Sequence, residues 1–159
     1  MLHGSINHLS LTVSDLSRAL DFFSPFLEFL GYQPEASPPG ARVALHFSHT
    51  TGAGVNIWQA RDPFIGRPFD TYAPGLHHVA FNAASRSQID ELALLVPRWG
   101  GRVTDPPGEY GFTGHGSYYA IYLRGPDDIK LECVHMSELE RLHTSLGTLR
   151  HRLWPHATG

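Results

Sequence analysis

Residues 117–135 read SYYAIYLRGPDDIKLECVH and predict a β-hairpin whose turn is GPDD at 125–128. Apolar residues alternate with polar ones in both strands, and side chains of a strand point alternately to its two faces. One face is therefore expected to pack on a core. The other face holds a carboxylate among phenols and cations, namely Tyr118, Tyr122, Arg124, Lys130 and Glu132. A sheet face of that composition lines either solvent or a polar cavity.

The hairpin is the last part of an internal repeat. Residues 6–31 align without a gap on 76–101, and residues 41–59 align without a gap on 117–135. His8 then falls on His78, and Asn56 falls on Glu132. Each half predicts the order strand, helix, short strand, hairpin, which indicates an α+β protein built from two copies of one unit.

The boundaries of these units follow from turn and capping signals. We expect a single domain over residues 1–135, followed by a C-terminal helix and tail over 136–159. Its parts are a first module at about 4–59, a proline-rich connection at 60–74 and a second module at about 75–135. Ser14 and Asp15 supply N-cap chemistry for a helix that runs to about Leu30, with a kink expected at Pro25. The second module is expected to hold a helix at about 86–99, a short strand at 102–104 and a loop at 105–117.

Composition restricts the class of protein. With 159 residues, 42% hydrophobic and 17% charged, the chain is expected to be soluble and globular. A net charge of -3 and the absence of a basic run disfavour nucleic acid or a membrane as a partner. The single Cys133 excludes an internal disulfide and suits the cytoplasm. Eleven histidines are a first hint of metal or proton chemistry.

The polar parity of the predicted strands gathers candidate site residues. It selects His8, Ser10, Arg42, His46, Asn56, Trp58, His78, Asn82, Tyr118, Tyr122, Lys130 and Glu132. Two imidazoles and one carboxylate on rigid strands are what an open metal site uses, with positions left for water or substrate. In the structural alternative, His8 and His78 are equivalent core histidines and Glu132 pairs with a neighbouring cation. Spacing alone does not separate these two interpretations.

Three stretches resemble a known family. NHLSLTVSDL, GLHHVAF and YYAIYLRGPDDIKLECVH are similar to the recurring strands of the vicinal oxygen chelate superfamily. This superfamily groups glyoxalases, bleomycin-resistance proteins, thiol transferases acting on fosfomycin and extradiol dioxygenases. The resemblance covers about residues 4–135 and implies two βαβββ modules that form a cup-shaped mixed β-sheet around a divalent metal. It implies His8, His78 and Glu132 as the metal ligands.

The resemblance also implies a choice among activities. Asn56 stands where glyoxalase-type lyases usually carry a glutamate, so the ligand pattern favours dioxygenases, usually with Fe(II), or fosfomycin-type transferases, usually with Mn(II). Zinc and nickel remain alternatives, and a glyoxalase-type lyase ranks third. The alternative from another class is a metal-free binding protein of the bleomycin-resistance type. Such a protein would use Trp58 and the tyrosines to hold a planar ligand.

Other polar residues are expected to transfer protons or to contact the substrate. Tyr122, Tyr118 and His46 are candidates for proton transfer or for hydrogen-bonding the metal ligands. A small-molecule substrate is expected to contact Ser10, Trp58, Asn56 and Arg42. His115, in a glycine-rich loop, is either an acid or base that closes over the substrate or an exposed turn residue. A homodimer is expected, because two modules can form the cup within one chain or across two.

Overall fold

The structure, a computed structural model, describes residues 4–67, 69–111 and 118–136. These residues form two four-stranded mixed sheets and two α-helices, which confirms the predicted α+β fold of two βαβββ modules. No helix in this described part is long and apolar enough to cross a bilayer. The predicted C-terminal helix and His115 lie outside the described residues.

The first module places its two long hairpin strands in the middle of sheet 1. Its elements are β1 (His8–Val13), α1 (Leu16–Phe29), β2 (Gln33–Glu35), β3 (Val43–Phe47) and β4 (Gly54–Gln59). The strand order is β1-β4-β3-β2, with β1 parallel to β4 and the other pairs antiparallel. Asp15 caps α1, where its carboxylate accepts the Arg18 N–H at 3.1 Å. Pro25 lies inside α1, which runs on as one helix past it.

The second module repeats this order in sheet 2. Its elements are β5 (Val79–Asn82), α2 (Arg86–Leu95), β6 (Arg102–Glu109), β7 (Tyr119–Arg124) and β8 (Lys130–His135). The strand order is β5-β8-β7-β6, and β5 is parallel to β8. The predicted loop start at residue 105 is wrong, because β6 continues to Glu109 through two prolines and two register shifts. An edge strand tolerates proline, since its outer N–H groups have no ladder partner.

The apolar faces of both sheets pack into one shared core. Its buried residues come from both modules, among them Val13, Phe22, Phe26, Ile57, Phe81, Ile89, Ile121, Leu131 and Cys133. Phe22 of α1 fills the junction between the two modules. A Cβ added to Gly101 would lie 2.5 Å from its ring, and a Cβ added to Gly125 would lie 2.8 Å from it. Because both apolar faces point inward to this core, the polar faces of the two sheets point away from it.

The turn between β7 and β8 ties the two modules together. Asp127 has a left-handed backbone (φ 55°), and its carboxylate accepts the Ser14 N–H at 2.7 Å beside the start of α1. Asp128, also left-handed, binds Arg102 at 2.5 Å and Arg124 at 2.9 Å. The GPDD turn thus connects β6, β7 and the N-terminus of α1.

Candidate functional site

The polar face of sheet 2 centres on Glu132. Residues paired with Glu132 in neighbouring strands are Ala80 on β5 and Tyr122 on β7, so all three side chains share one face. Glu132 is 2% exposed, although most of its neighbours on this face are polar. A buried carboxylate requires partners, because leaving an ionised group unpaired in the interior is costly.

Three side chains contact the Glu132 carboxylate. The Tyr118 hydroxyl donates to Oε1 at 2.5 Å, and His78 Nε2 lies 2.9 Å from Oε2. Tyr122 also hydrogen-bonds to it. His78 is one third exposed, so this cluster opens toward solvent on the β5 side. The predicted neighbours His78, Glu132, Tyr118 and Tyr122 are thus brought together by the second module alone.

The two phenols are held in the neutral, proton-donating form. Burial, followed by the hydrogen bond and charge of Glu132, raises the pKa of Tyr118 far above 10. Burial and the charge of Glu132 raise the pKa of Tyr122 in the same direction. Each hydroxyl therefore acts as a donor that orients the carboxylate at neutral pH.

The polar face of sheet 1 is its counterpart and is more open. His8, Ser10 and Thr12 lie exposed along β1, and Asn56 and Trp58 lie on β4 beside them. Asn56 donates to the Ser10 hydroxyl at 3.3 Å, and His8 contacts Asn7 at 2.9 Å. A cavity of about 450 Å³ adjoins His8 and is also lined by Glu35, Leu45, Phe47, His49 and Asn56. A second cavity of about 310 Å³ lies between Trp58, 43% exposed, and Phe64.

Two predicted members of this face point the other way. The β3–β4 register pairs Leu45 with Asn56 and His46 with Val55, so His46 faces α1 and the core. Arg42 lies just before β3, where its carbonyl accepts the Gln59 N–H at 2.9 Å, so continuing the ladder by one residue puts Arg42 on the same side as His46. The prediction was wrong because the loop at 48–53 is one residue longer than the loop at 125–129, and one residue reverses every facing in a strand. Leu45, rather than His46, is the counterpart of Tyr122.

His46 is instead an isolated polar group in an apolar setting. It is 3% exposed, and neither ring nitrogen has a hydrogen-bond partner among the residues described. Pro34 on β2 and Val55 on β4 flank it. Burial lowers its pKa below the ordinary 6.5, and the carboxylate of Glu28 on α1 offsets this in part. The imidazole is therefore buried in its neutral form.

Replacement of His46 by leucine is expected to make the protein less sensitive to acid. The folded pKa is lowered, so the unfolded chain takes up the proton first, and stability is lost as the pH falls below about 6.5. At pH ~8 the variant should be more stable by about 1 kcal/mol, because two unpaired nitrogens are removed. Urea unfolding of both proteins at pH ~8 and ~5.5 measures the difference.

The matched control is His49→Leu, since the His49 side chain is 71% exposed. This variant should retain the wild-type dependence on pH. An equal loss of stability on acidification in wild type and His46→Leu would contradict a neutral, buried His46.

Two of the three predicted metal ligands, His78 and Glu132, lie together within one chain. Among residues 4–67, 69–111 and 118–136, no three His, Cys, Asp or Glu side chains form a group that could hold a metal ion. His78 and Glu132 provide a nitrogen and an oxygen at 2.9 Å, while His8 belongs to the polar face of the other sheet. The donor types of His78 and Glu132 fit a divalent metal, and a site with three protein ligands would need one further donor.

Tyr110 lies beside the Glu132 cluster although the sequence placed it in a loop. Its ring packs edge-on against Tyr122 at 5.2 Å, just beyond the end of β6. No signal in the sequence indicates this position of Tyr110, because two prolines shortly before it argue against a strand. Because β6 extends through those prolines, Tyr110 forms an aromatic wall of the site.

Comparison with known proteins agrees with this architecture. The model of the Glyoxalase/Bleomycin resistance protein/Dioxygenase superfamily matches residues 5–133. The uncharacterized protein YqjT of Bacillus subtilis (strain 168) is 31% identical over 129 residues, which are 81% of this chain and 97% of YqjT. A crystal structure of a glyoxalase/bleomycin resistance protein from Albidiferax ferrireducens T118 is 25% identical, with a TM-score of 0.65 over 82% of this chain and 98% of the other. A crystallised Bacillus halodurans protein is 28% identical, with a TM-score of 0.71 over 84% and 97% of the two chains.

The matched residues contain every strand and helix of both modules except the last two residues of β8, and they include the GPDD turn. Sequence similarity and fold thus agree over the same part of the chain. The protein belongs to the Glyoxalase/Bleomycin resistance protein/Dioxygenase superfamily.

Proposed function

We propose that this protein is a divalent-metal-dependent enzyme whose small substrate chelates the metal through two neighbouring oxygens. Its reaction is of the dioxygenase or transferase type, with Fe(II) or Mn(II) as the favoured ion. The observation that carries this proposal is the buried Glu132 carboxylate with His78 Nε2 at 2.9 Å. A nitrogen and an oxygen donor this close together suit an open site for a divalent ion.

The third ligand, His8, is proposed to come from a second copy of the chain. Its imidazole is exposed on sheet 1, and the two polar faces point away from the shared core of one chain. β1 begins at His8, and β5 begins one residue after His78. Both are edge strands. In a twofold dimer, sheet 1 of one protomer and sheet 2 of its partner would together form the cup.

Exposed apolar side chains support a dimer. Ile6 is 78% exposed two residues before His8, and Tyr72 is 85% exposed in the connection between the modules. Phe64 and Ile65 of the same connection are about half exposed. Phe64 and Ile65 are adjacent in sequence, and contiguous exposed apolar side chains are typical of interfaces.

Residues of this chain then have distinct roles. His8, His78 and Glu132 would hold the ion, and Tyr118 and Tyr122 orient the carboxylate by donating hydrogen bonds. Bound metal would supply Lewis-acid stabilisation of negative charge on the substrate oxygens. Ser10, Asn56 and Trp58 line the opposite wall and are proposed to contact the substrate.

A heterodimer of two inactive chains tests this arrangement. His8→Ala and Glu132→Ala chains carrying different affinity tags are co-expressed, the mixed dimer is isolated, and its metal is measured by plasma mass spectrometry. If the site is shared, one site of the two has all its ligands, so the heterodimer should hold about half the wild-type metal. Each variant homodimer should hold almost none.

A metal-free heterodimer would contradict the shared site, because it would mean that each site lies within one chain. A heterodimer of two wild-type chains with the same tags controls for loss during purification. Wild-type protein that is folded but binds no metal would contradict the enzyme proposal itself.

The second candidate function is a metal-free binding protein. The cavity of about 310 Å³ between Trp58 and Phe64 favours it, because exposed aromatic rings can stack on a planar ligand. Quenching of tryptophan fluorescence by planar ligands in chelator-treated wild type, but not in Trp58→Phe, would support this candidate. The enzyme proposal requires binding that depends on metal.

A further inference from the structure

Lys130 lies on the polar face of sheet 2 beside the proposed metal site. It is half-buried at the start of β8, and the register pairs it with Arg124 on β7. Glu132 follows two residues later on the same face, which in a strand is about 7 Å away. Lys130 Nζ lies 5.2 Å from the centre of the Tyr122 ring, so this phenol holds the ammonium group over the site.

Lys130 differs from the nearby arginines because it has no ion-pair partner in the described part of the chain. Arg124 and Arg102 both bind Asp128, and Glu132 is occupied by Tyr118 and His78. Among residues 4–67, 69–111 and 118–136, Lys130 forms no ion pair, and its contact is the Tyr122 ring. A half-buried cation that is held by an aromatic ring and forms no ion pair in the described part of the chain is poised to receive an anion.

There is room for a ligand beside Glu132 on the β5 side, where His78 and Ala80 line a cavity of about 400 Å³. Ala80 is the residue opposite Glu132 on β5, and its side chain is small and exposed. A molecule bound beside Glu132 therefore meets no large side chain of β5 at this level. A single fixed ammonium next to a carboxylate matches a singly charged group better than a doubly charged phosphate.

We propose that Lys130 forms an anion subsite that selects substrates carrying a carboxylate group in addition to their two neighbouring oxygens. This inference rests on the proposed function, since it defines the substrate class of that site. The carboxylate binds the Lys130 ammonium as a charge-assisted contact, while the vicinal oxygens face His78 and Glu132.

Two probes that differ in one charge test the subsite. 3,4-Dihydroxybenzoate and its methyl ester present the same ring and the same vicinal oxygens, but only the acid is anionic. Calorimetric titration of the zinc-loaded full chain should give at least about tenfold tighter binding of the acid. In Lys130→Met this preference should vanish through weaker binding of the acid, while the ester binds as before. Lys130→Arg keeps the charge and should keep most of the preference.

The outcomes separate the subsite from the proposed function. Equal binding of acid and ester by wild type, or an unchanged preference in Lys130→Met, would overturn the subsite and leave the metal site standing. Wild type that binds neither probe, or loads no zinc, would overturn both. The zinc content and unfolding curve of each variant show whether Lys130→Met acts on the anion alone.

Discussion

Glu132→Gln is expected to reduce bound metal from about one ion per chain to nearly none. The amide keeps the size of the carboxylate but loses the negative charge that makes the oxygen a strong ligand for a hard divalent ion. Tyr118 can still donate to the amide oxygen, so the local packing is retained. Metal analysis of protein purified without chelator measures the change, and metal titration of the apo form should show at least about a hundredfold weaker affinity.

Glu109→Gln provides the control for loss of an acidic group. Glu109 is half exposed on β6 and pairs with Arg86, away from the polar face that holds Glu132. Its metal content should equal that of wild type. A metal content in Glu132→Gln equal to that of wild type would show that the ion binds elsewhere. The proposed ligand set would then be wrong.

Phe22→Ala is expected to lower the free energy of unfolding by about 3–5 kcal/mol. The ring is 1% exposed, stacks on Phe26 at 5.4 Å and meets Phe23 edge-on at 5.2 Å. It also fills the space above Gly101 and Gly125 of the other module, so its removal opens a cavity at the junction. Urea unfolding of the metal-free protein, at one fixed protein concentration, measures the loss of unfolding free energy.

A double-mutant cycle with Gly101→Ala identifies the contact between modules. Alone, the added methyl would lie 2.5 Å from Cε2 of Phe22, so this variant should be destabilised by about 1–3 kcal/mol. In a Phe22→Ala background the methyl enters the cavity, and its cost should fall to the smaller part that comes from Val96 Cγ1 at 3.0 Å. Gly100→Ala is the control, because its cost comes from a positive φ of 85° and should not depend on Phe22. Additive effects of Phe22→Ala and Gly101→Ala would contradict the packing at this junction.

The order of elements could be predicted because it depends on local signals. Alternation in the final hairpin, the Asp15 cap and the repeat of His8 on His78 each act within a few residues, and they predicted the two modules. The facing of β7 and β8 was also correct, since the polar residues of both strands fall on one parity. These features required no knowledge of how the modules pack.

The features that were predicted wrongly depend on how strands pair and where they lie in the sheet. The facing of His46 is set by a loop of 48–53 that shifts the β3–β4 register by one residue, and the apolar pattern of β3 fits either face. The length of β6 depends on its position at a sheet edge, which permits Pro106 and Pro107. The ligand set of His8, His78 and Glu132 stays a prediction, because the relative position of the two sheets depends on α1 packing on both modules, and strand periodicity carries no information about that.

The hydrogen bond from the Ser14 N–H to Asp127 has a consequence for folding. It joins residues 113 apart in sequence, and the GPDD turn must be complete before the chain leading into α1 gains this partner. With Phe22 seated against Gly101 and Gly125, the first helix is stabilised largely by the second half of the chain. The two halves should therefore unfold in one cooperative transition, and neither half is expected to form a stable domain when expressed alone.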